Sequence, residues 1–188
     1  MSIRLHSRLR CAGFTMVELM SVVAIVAILL ALVAPSFSNY IARKRLEGVF
    51  TELVTDIQYA RSEAVQRNVS VRVTFGTGCY AIHTVGSTAT SCTQAGGVTL
   101  GTGATPIKTV QLDTGSALTI SPNNSLTYLQ FDSVRGMATW DGSGTTSGSV
   151  NVASSAGSWQ LRASMTPVGR VQTCSPNGSV VGYVSTCI

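Results

Sequence analysis

Charge is scarce in this chain. Only 11% of its 188 residues are Asp, Glu, Lys or Arg. The net charge of +5 overstates the basic balance, because Arg4, Arg8 and Arg10 crowd the first ten residues. From Val73 onward Lys108, Arg135, Arg162 and Arg170 stand against Asp113, Asp132 and Asp141, so no broad basic face for nucleic-acid phosphates follows. Histidine is scarcer still, with His6 near the start and His83 alone in a strand pattern, a setting that suits packing or surface better than catalysis. There is no Cys-x-x-Cys or Cys/His cluster to hold a metal. No Gly-x-Ser-x-Gly elbow, phosphate loop or His-Glu-x-x-His appears either, and the three aspartates are too scattered to propose as a catalytic pair. The expectation is a protein that is not an enzyme and takes no cofactor or metal. Internal repeats are absent, and the Asn-x-Ser patterns at Asn68, Asn123 and Asn177 read as chance.

What the chain does have is one long apolar run. From Phe14 to Ala34 only Thr15, Glu18 and Ser21 are polar. As a helix at about 1.5 Å per residue, such a run reaches about 30 Å, the thickness of a bilayer's hydrocarbon core. An acid at mid-membrane costs roughly 2.5–3.5 kcal/mol on insertion scales, so a retained one suggests a partner or a role. Glu18 lies near one end of the run, where headgroups are in reach and the cost is lower. Charge does not orient the span: Arg4, Arg8 and Arg10 precede it, and Arg43, Lys44 and Arg45 follow it. Two plainer readings stand beside this one. The first is a secretory signal peptide cut near Ala34, against which count the length of the run, Glu18, and Pro35 directly after the cut. The second is a simple anchor in which Glu18 is incidental.

Gly13, Phe14 and Glu18, behind the basic leader residues Arg4, Arg8 and Arg10, resemble the class III signal of type IV prepilins and pseudopilins. The resemblance implies cleavage between Gly13 and Phe14 by a prepilin peptidase and N-methylation of Phe14. It also implies that Glu18 pairs with an N-terminal amine in the assembled filament, and that the helix kinks at Pro35. The expected division is a leader over 1–13, a transmembrane and assembly helix over 14–35, an amphipathic helix over 36–69 and a β-rich domain over 70–188.

Past Pro35 the helical pattern turns amphipathic. Leu46, Val49, Phe50, Leu53, Ile57, Ala60 and Ala64 recur at spacings of three and four, while most charged residues fall off that stripe. Arg43/Glu47 and Glu63/Arg67 have the spacing of i,i+4 ion pairs, Gly48 is a weak point, and Asn68 marks the end. From Ser70 the period falls to two, and Val71, Val73 and Phe75 alternate with Arg72 and Thr74. Further strands are expected at 80–85, 109–112, 117–120, 126–131, 137–140, 149–153, 159–163, 169–173 and 180–184, separated by turn clusters. Ser87–Thr105, rich in Gly, Ser and Thr, reads as a long surface loop after Gly86. The fold class is α+β: a pilin-like long N-terminal helix, membrane-spanning in its first half and amphipathic in its second, packed on an antiparallel sheet domain.

With Cys11 in the leader, four cysteines remain for the exported part, and three pairings are open. Cys79–Cys92 and Cys174–Cys187 are favoured because each closes a short Gly/Ser/Thr-rich loop. Free buried thiols in a cytosolic protein are the alternative.

Gln58–Asn68 with Val69-Ser70-Val71, and Phe131-Asp132-Ser133-Val134-Arg135-Gly136, resemble the GspH/FimT-type minor pilins and pseudopilins. In that setting Arg61 and Arg67 read as a solvated helix face. Pro167–Cys174 resembles the Gly-Arg-x-Arg element through which some FimT-like minor pilins bind DNA, matching at Gly169, Arg170 and Cys174 but carrying Gln172 for the second arginine. Loss of one of two central cations weakens phosphate binding, although Arg162 on a neighbouring strand offers a replacement. The resemblance implies a minor pilin joining a type IV pilus, in the assembly-initiating complex at its tip. Its implied partners are other pilins, the prepilin peptidase and the inner membrane, with the C-terminal domain periplasmic and later extracellular. A DNA-binding minor pilin for transformation and a type II secretion pseudopilin are the competing readings.

Overall fold

A computed structural model describes residues 13–123, 126–141 and 148–187, with the side chains of 32–36 excepted. The leader residues Arg4, Arg8, Arg10 and Cys11, the side chain of Pro35 with its expected kink, and the turns at 124 and 142–144 lie outside that description.

Helix α1 (Met16–Arg67) carries both the apolar run and the amphipathic stretch, and the chain divides into two units between Ser38 and Asn39. Among the described residues no helix is long and apolar enough to cross a membrane.

In the second unit the stripe of α1 does what its spacing dictates. Leu46, Phe50, Leu53, Ile57, Ala60 and Ala64 are all buried, because residues three and four apart share one face. The helix stops at Arg67, and Asn68 turns the chain with φ 53°. Eleven strands are described beyond it: β1 (Val71–Gly76), β2 (Cys79–Thr84), β3 (Ser91–Thr93), β4 (Gly97–Thr99), β5 (Pro106–Gln111), β6 (Leu118–Pro122), β7 (Tyr128–Phe131), β8 (Ala138–Trp140), β9 (Gly148–Ser154), β10 (Gln160–Met165) and β11 (Val171–Cys174). They form a sheet of order β5-β2-β1-β7-β8, a second of order β11-β10-β9-β6, and a small ribbon β3-β4. All pairings within the sheets are antiparallel. The helix stripe, Val71 and Val73 of β1, Ile82 of β2, Phe131 of β7, and Ile120, Val152 and Leu161 of the second sheet belong to one continuous core.

Two expectations need correction. Ser87–Thr105 is not a plain loop. It contains the β3-β4 ribbon, and threonine hydroxyls close its base, with the Thr102 amide donating to Thr88 Oγ1 at 2.6 Å and the Gly101 amide to Thr90 Oγ1 at 3.1 Å. Nor is 180–184 a strand. Gly182 sits at φ 100°, outside the extended region, and the segment keeps a single parallel bridge between Cys174 and Val184. Val180 is nevertheless fully buried there, held by its amide to Ser175 Oγ.

Candidate functional site

At the N-terminal end, Thr15 caps α1. Its hydroxyl accepts the Glu18 amide at 3.2 Å, and its carbonyl accepts the Leu19 amide at 3.1 Å. Thr15-x-x-Glu18 has the spacing of a capping box, a signal that reading Glu18 only as a lone acid overlooks. The Glu18 carboxylate is exposed in the first turn, where the positive end of the helix dipole favours an anion. Gly13 and Phe14 directly precede the cap and are also exposed. From Phe14 to Leu30 no large apolar side chain is less than 46% exposed. Among the described residues that stretch finds little cover, so its apolar surface calls for lipid or another protein.

The four cysteines lie in two disulfides. Cys79–Cys92 ties the start of β2 to β3, with a Cα separation of 6.1 Å, and Cys174–Cys187 ties the end of β11 to the C-terminal segment, at 5.5 Å. That segment folds back on α1: Tyr183 packs edge-on against Phe50 at 5.8 Å, and Arg43 donates to the Val181 carbonyl at 3.0 Å.

The three stretches that resemble GspH/FimT proteins meet at Arg61. Its Nε donates to the Gly136 carbonyl at 3.0 Å, and an Nη1 hydrogen points to the Gly169 carbonyl at 3.5 Å. Arg61 is therefore a part-buried clamp and not the solvated residue expected, because the β7–β8 and β10–β11 turns offer it carbonyls that have no other partner among the described residues. Gly136 and Gly169 hold φ of 60° and 78°, and a Cβ on Gly169 would come within 2.9 Å of Arg61 Nε. A glycine in each of the two turn stretches that resemble the family, Gly136 and Gly169, was the sequence signal for this contact. Arg67 remains about half exposed and pairs with Glu63.

Arg162 and Arg170 share the outer face of the second sheet, since Arg162 stands opposite Cys174 and Ser164 opposite Gln172. They do not converge. Arg170 bonds through its backbone to Thr166, four residues beyond Arg162 and about 14 Å along the ladder. Arg162 Nε donates to Asn151 Oδ1 at 2.9 Å, within a chain of amides reaching Asn123 and Ser149. The expected replacement cation is thus already committed, whereas the Arg170 side chain is exposed. Arg170 forms the ridge between two clefts. One, of about 530 Å³, is lined by Gln58, Arg61, Ser62 and Val65 of α1 and by Gly169, Arg170 and Val171. The other, of about 310 Å³, runs along β11 to the Cys174–Cys187 bridge.

Elsewhere the buried polar groups fasten the fold. Asp56 of α1 accepts the Tyr80 hydroxyl and the Lys108 ammonium, each at 2.7 Å. Burial and then the Asp56 carboxylate push the Tyr80 phenol far above its ordinary range. The hydrogen bond to Asp56 raises Lys108. His83 is buried in β2 beside Thr74.

Comparison with known proteins places this geometry. Residues 50–169 match the family model described as type II transport protein GspH. Residues 8–34 match that of the prokaryotic N-terminal methylation motif. Over 40 residues the chain is 52% identical to the type IV major fimbrial protein FimA of Dichelobacter nodosus, covering 21% of this chain and 26% of that one. Over 39 residues it is 49% identical to a fimbrial protein of Moraxella nonliquefaciens, covering 21% and 25%. These matches span about a quarter of the relatives' length. Among solved structures, the type IV minor pilin FimU of Pseudomonas aeruginosa superposes with a TM-score of 0.51 at 19% identity, over 69% of this chain and 88% of that one. At that identity the likeness is one of fold.

Proposed function

Because the chain belongs to the family of the type II transport protein GspH and carries the prokaryotic N-terminal methylation motif, we propose that it is a minor pilin, a structural subunit of a type IV pilus. The observation that carries this reading is the start of α1, a capped helix whose large apolar side chains as far as Leu30 are all exposed and whose one acid lies in the first turn. The motif implies anchoring in the inner membrane and then transfer to the filament. In that reading a prepilin peptidase cuts between Gly13 and Phe14, the Phe14 amine is methylated, and the domain from 70 onward stands in the periplasm. On assembly the helix exchanges lipid for the helices of other pilins, and Glu18 pairs with a neighbouring N-terminal amine to set axial register. We assign the subunit to the assembly-initiating complex at the tip.

Substituting Glu18→Ala or Glu18→Val is expected to leave the protein in the membrane fraction and to remove it from sheared filaments. Incorporation at the level of the unsubstituted chain would contradict the pairing role. The GspH description favours one second reading, a type II secretion pseudopilin. Deleting the chain separates the two: a pilin's loss abolishes surface filaments, a pseudopilin's loss abolishes export of folded proteins. Binding of DNA has less support, because Arg162 is engaged and Gln172 brings no charge, whereas phosphate affinity rises with each cation supplied.

A further inference from the structure

The cleft between the end of α1 and the β10–β11 turn holds two guanidinium groups and no acid among its lining residues. Arg61 spends its Nε hydrogen and one Nη1 hydrogen on the Gly136 and Gly169 carbonyls, which leaves three of its five donors. The side chains of Arg170 and of Arg135, on the adjoining β7–β8 turn, make no hydrogen bond or ion pair among the described residues. The nearby carboxylates make their bonds elsewhere among the described residues. Asp132 accepts the Val134 and Arg135 amides at 3.2 and 3.1 Å, and Glu63 pairs with Arg67. The two turns are joined, since the Ala138 amide donates to the Pro167 carbonyl at 2.8 Å. Around the arginines the surface is apolar: Val134 is 74% exposed, Val168 64%, Val65 49% and Met137 40%.

Arginine set among exposed apolar side chains is the composition of a protein interface, where desolvated Arg anchors are enriched. A site for a phosphate backbone would need more cations and would draw little from valines. We propose that this face, centred on Arg170, docks an acidic segment of a neighbouring filament subunit. A carboxylate of that segment pairs with Arg170 and the free donors of Arg61, and apolar side chains beside it cover Val168 and Val134. The inference rests on the pilin reading and names one contact of that subunit.

The test places a photo-crosslinking amino acid at Val168 in the full-length chain, produced in cells that assemble filaments. Sheared filaments are irradiated and the adducts identified by mass spectrometry, with the same probe at the exposed Thr99 as the control position. The expected adduct joins position 168 to a peptide of another filament subunit that contains Asp or Glu. Arg170→Glu is expected to lower its yield about tenfold and Arg170→Lys to keep most of it. Filaments that contain the chain but yield no such adduct overturn the inference and leave the pilin reading standing. So does an adduct with nucleic acid, or one indifferent to Arg170→Glu. A chain that never enters filaments overturns both.

Discussion

His83 lies on β2 with Nδ1 2.8 Å from the Thr84 carbonyl and Nε2 2.9 Å from the Thr74 hydroxyl. A carbonyl only accepts, so Nδ1 carries the proton and Nε2 accepts from Thr74. The neutral ring satisfies both contacts. Burial holds the His83 pKa below its ordinary value, with the nearby Arg72 charge acting in the same sense and the bond to Thr84 opposing it. The folded chain therefore binds fewer protons than the unfolded one as pH falls below about 6.5, the unfolded value. His83's contribution to stability is complete above that pH and is lost as pH falls through the window down to the folded pKa. Urea unfolding of the wild type and of His83→Gln, followed between pH 7.5 and 5, should show a steeper loss for the wild type. Identical slopes would mean that other groups carry the acid sensitivity.

Among the elements, the ones set by period were legible in advance. The 3-and-4 spacing from Leu46 to Ala64 and the alternation from Val71 to Phe75 each place a whole face by local geometry, and both faces are buried. What escaped depends on groups distant in sequence. The β3-β4 ribbon is closed by side-chain hydroxyls across a loop, and the chain at 180–184 runs through Gly182 in a left-handed turn although its valines suggest a strand. Arg61 escaped for the same reason, since its partners lie 75 and 108 residues away. That clamp can be measured against a matched control. Gly97 and Gly169 both have left-handed φ, 72° and 78°, but a Cβ on Gly97 meets nothing within 4 Å whereas one on Gly169 meets Arg61. Gly97→Ala should cost about 1–2 kcal/mol from backbone strain alone. Gly169→Ala should cost about 1–2 kcal/mol more, because displacing Arg61 leaves two carbonyls unpaired. The excess should vanish in the background of Arg61→Ala, and an equal cost at both glycines would exclude the clamp.

Taken whole, the chain is two units: in the first, the large apolar side chains from Phe14 to Leu30 are exposed, and in the second, the rest of α1 packs its stripe into a domain. The domain's sheets enclose one core, but its C-terminal segment contributes little regular structure. After β11 it is held by a single isolated bridge, the Tyr183–Phe50 contact, hydrogen bonds such as Arg43 to the Val181 carbonyl and Ser175 to the Gln160 carbonyl, and the link from Cys187 back to Cys174. Val180, fully buried, depends on that segment staying in place. A bridge at a sequence separation of 13 limits the unfolded chain by about 3 kcal/mol in the loop-entropy account. For a domain of this size, that corresponds to a fall of about 6–12 °C in Tm for Cys174→Ser with Cys187→Ser. The Cys79–Cys92 pair has the same separation but ties two strands already laddered to neighbours, so its removal should leave protease resistance at the C-terminus unchanged. Removal of the second pair should open 175–187 to cleavage and release Val180 from the core. Calorimetry and limited proteolysis of the two double variants, purified as full-length chains in detergent, check both statements. Equal proteolysis at the C-terminus in the two would show that the packing of Tyr183 and Val180 suffices to hold the segment without its bridge.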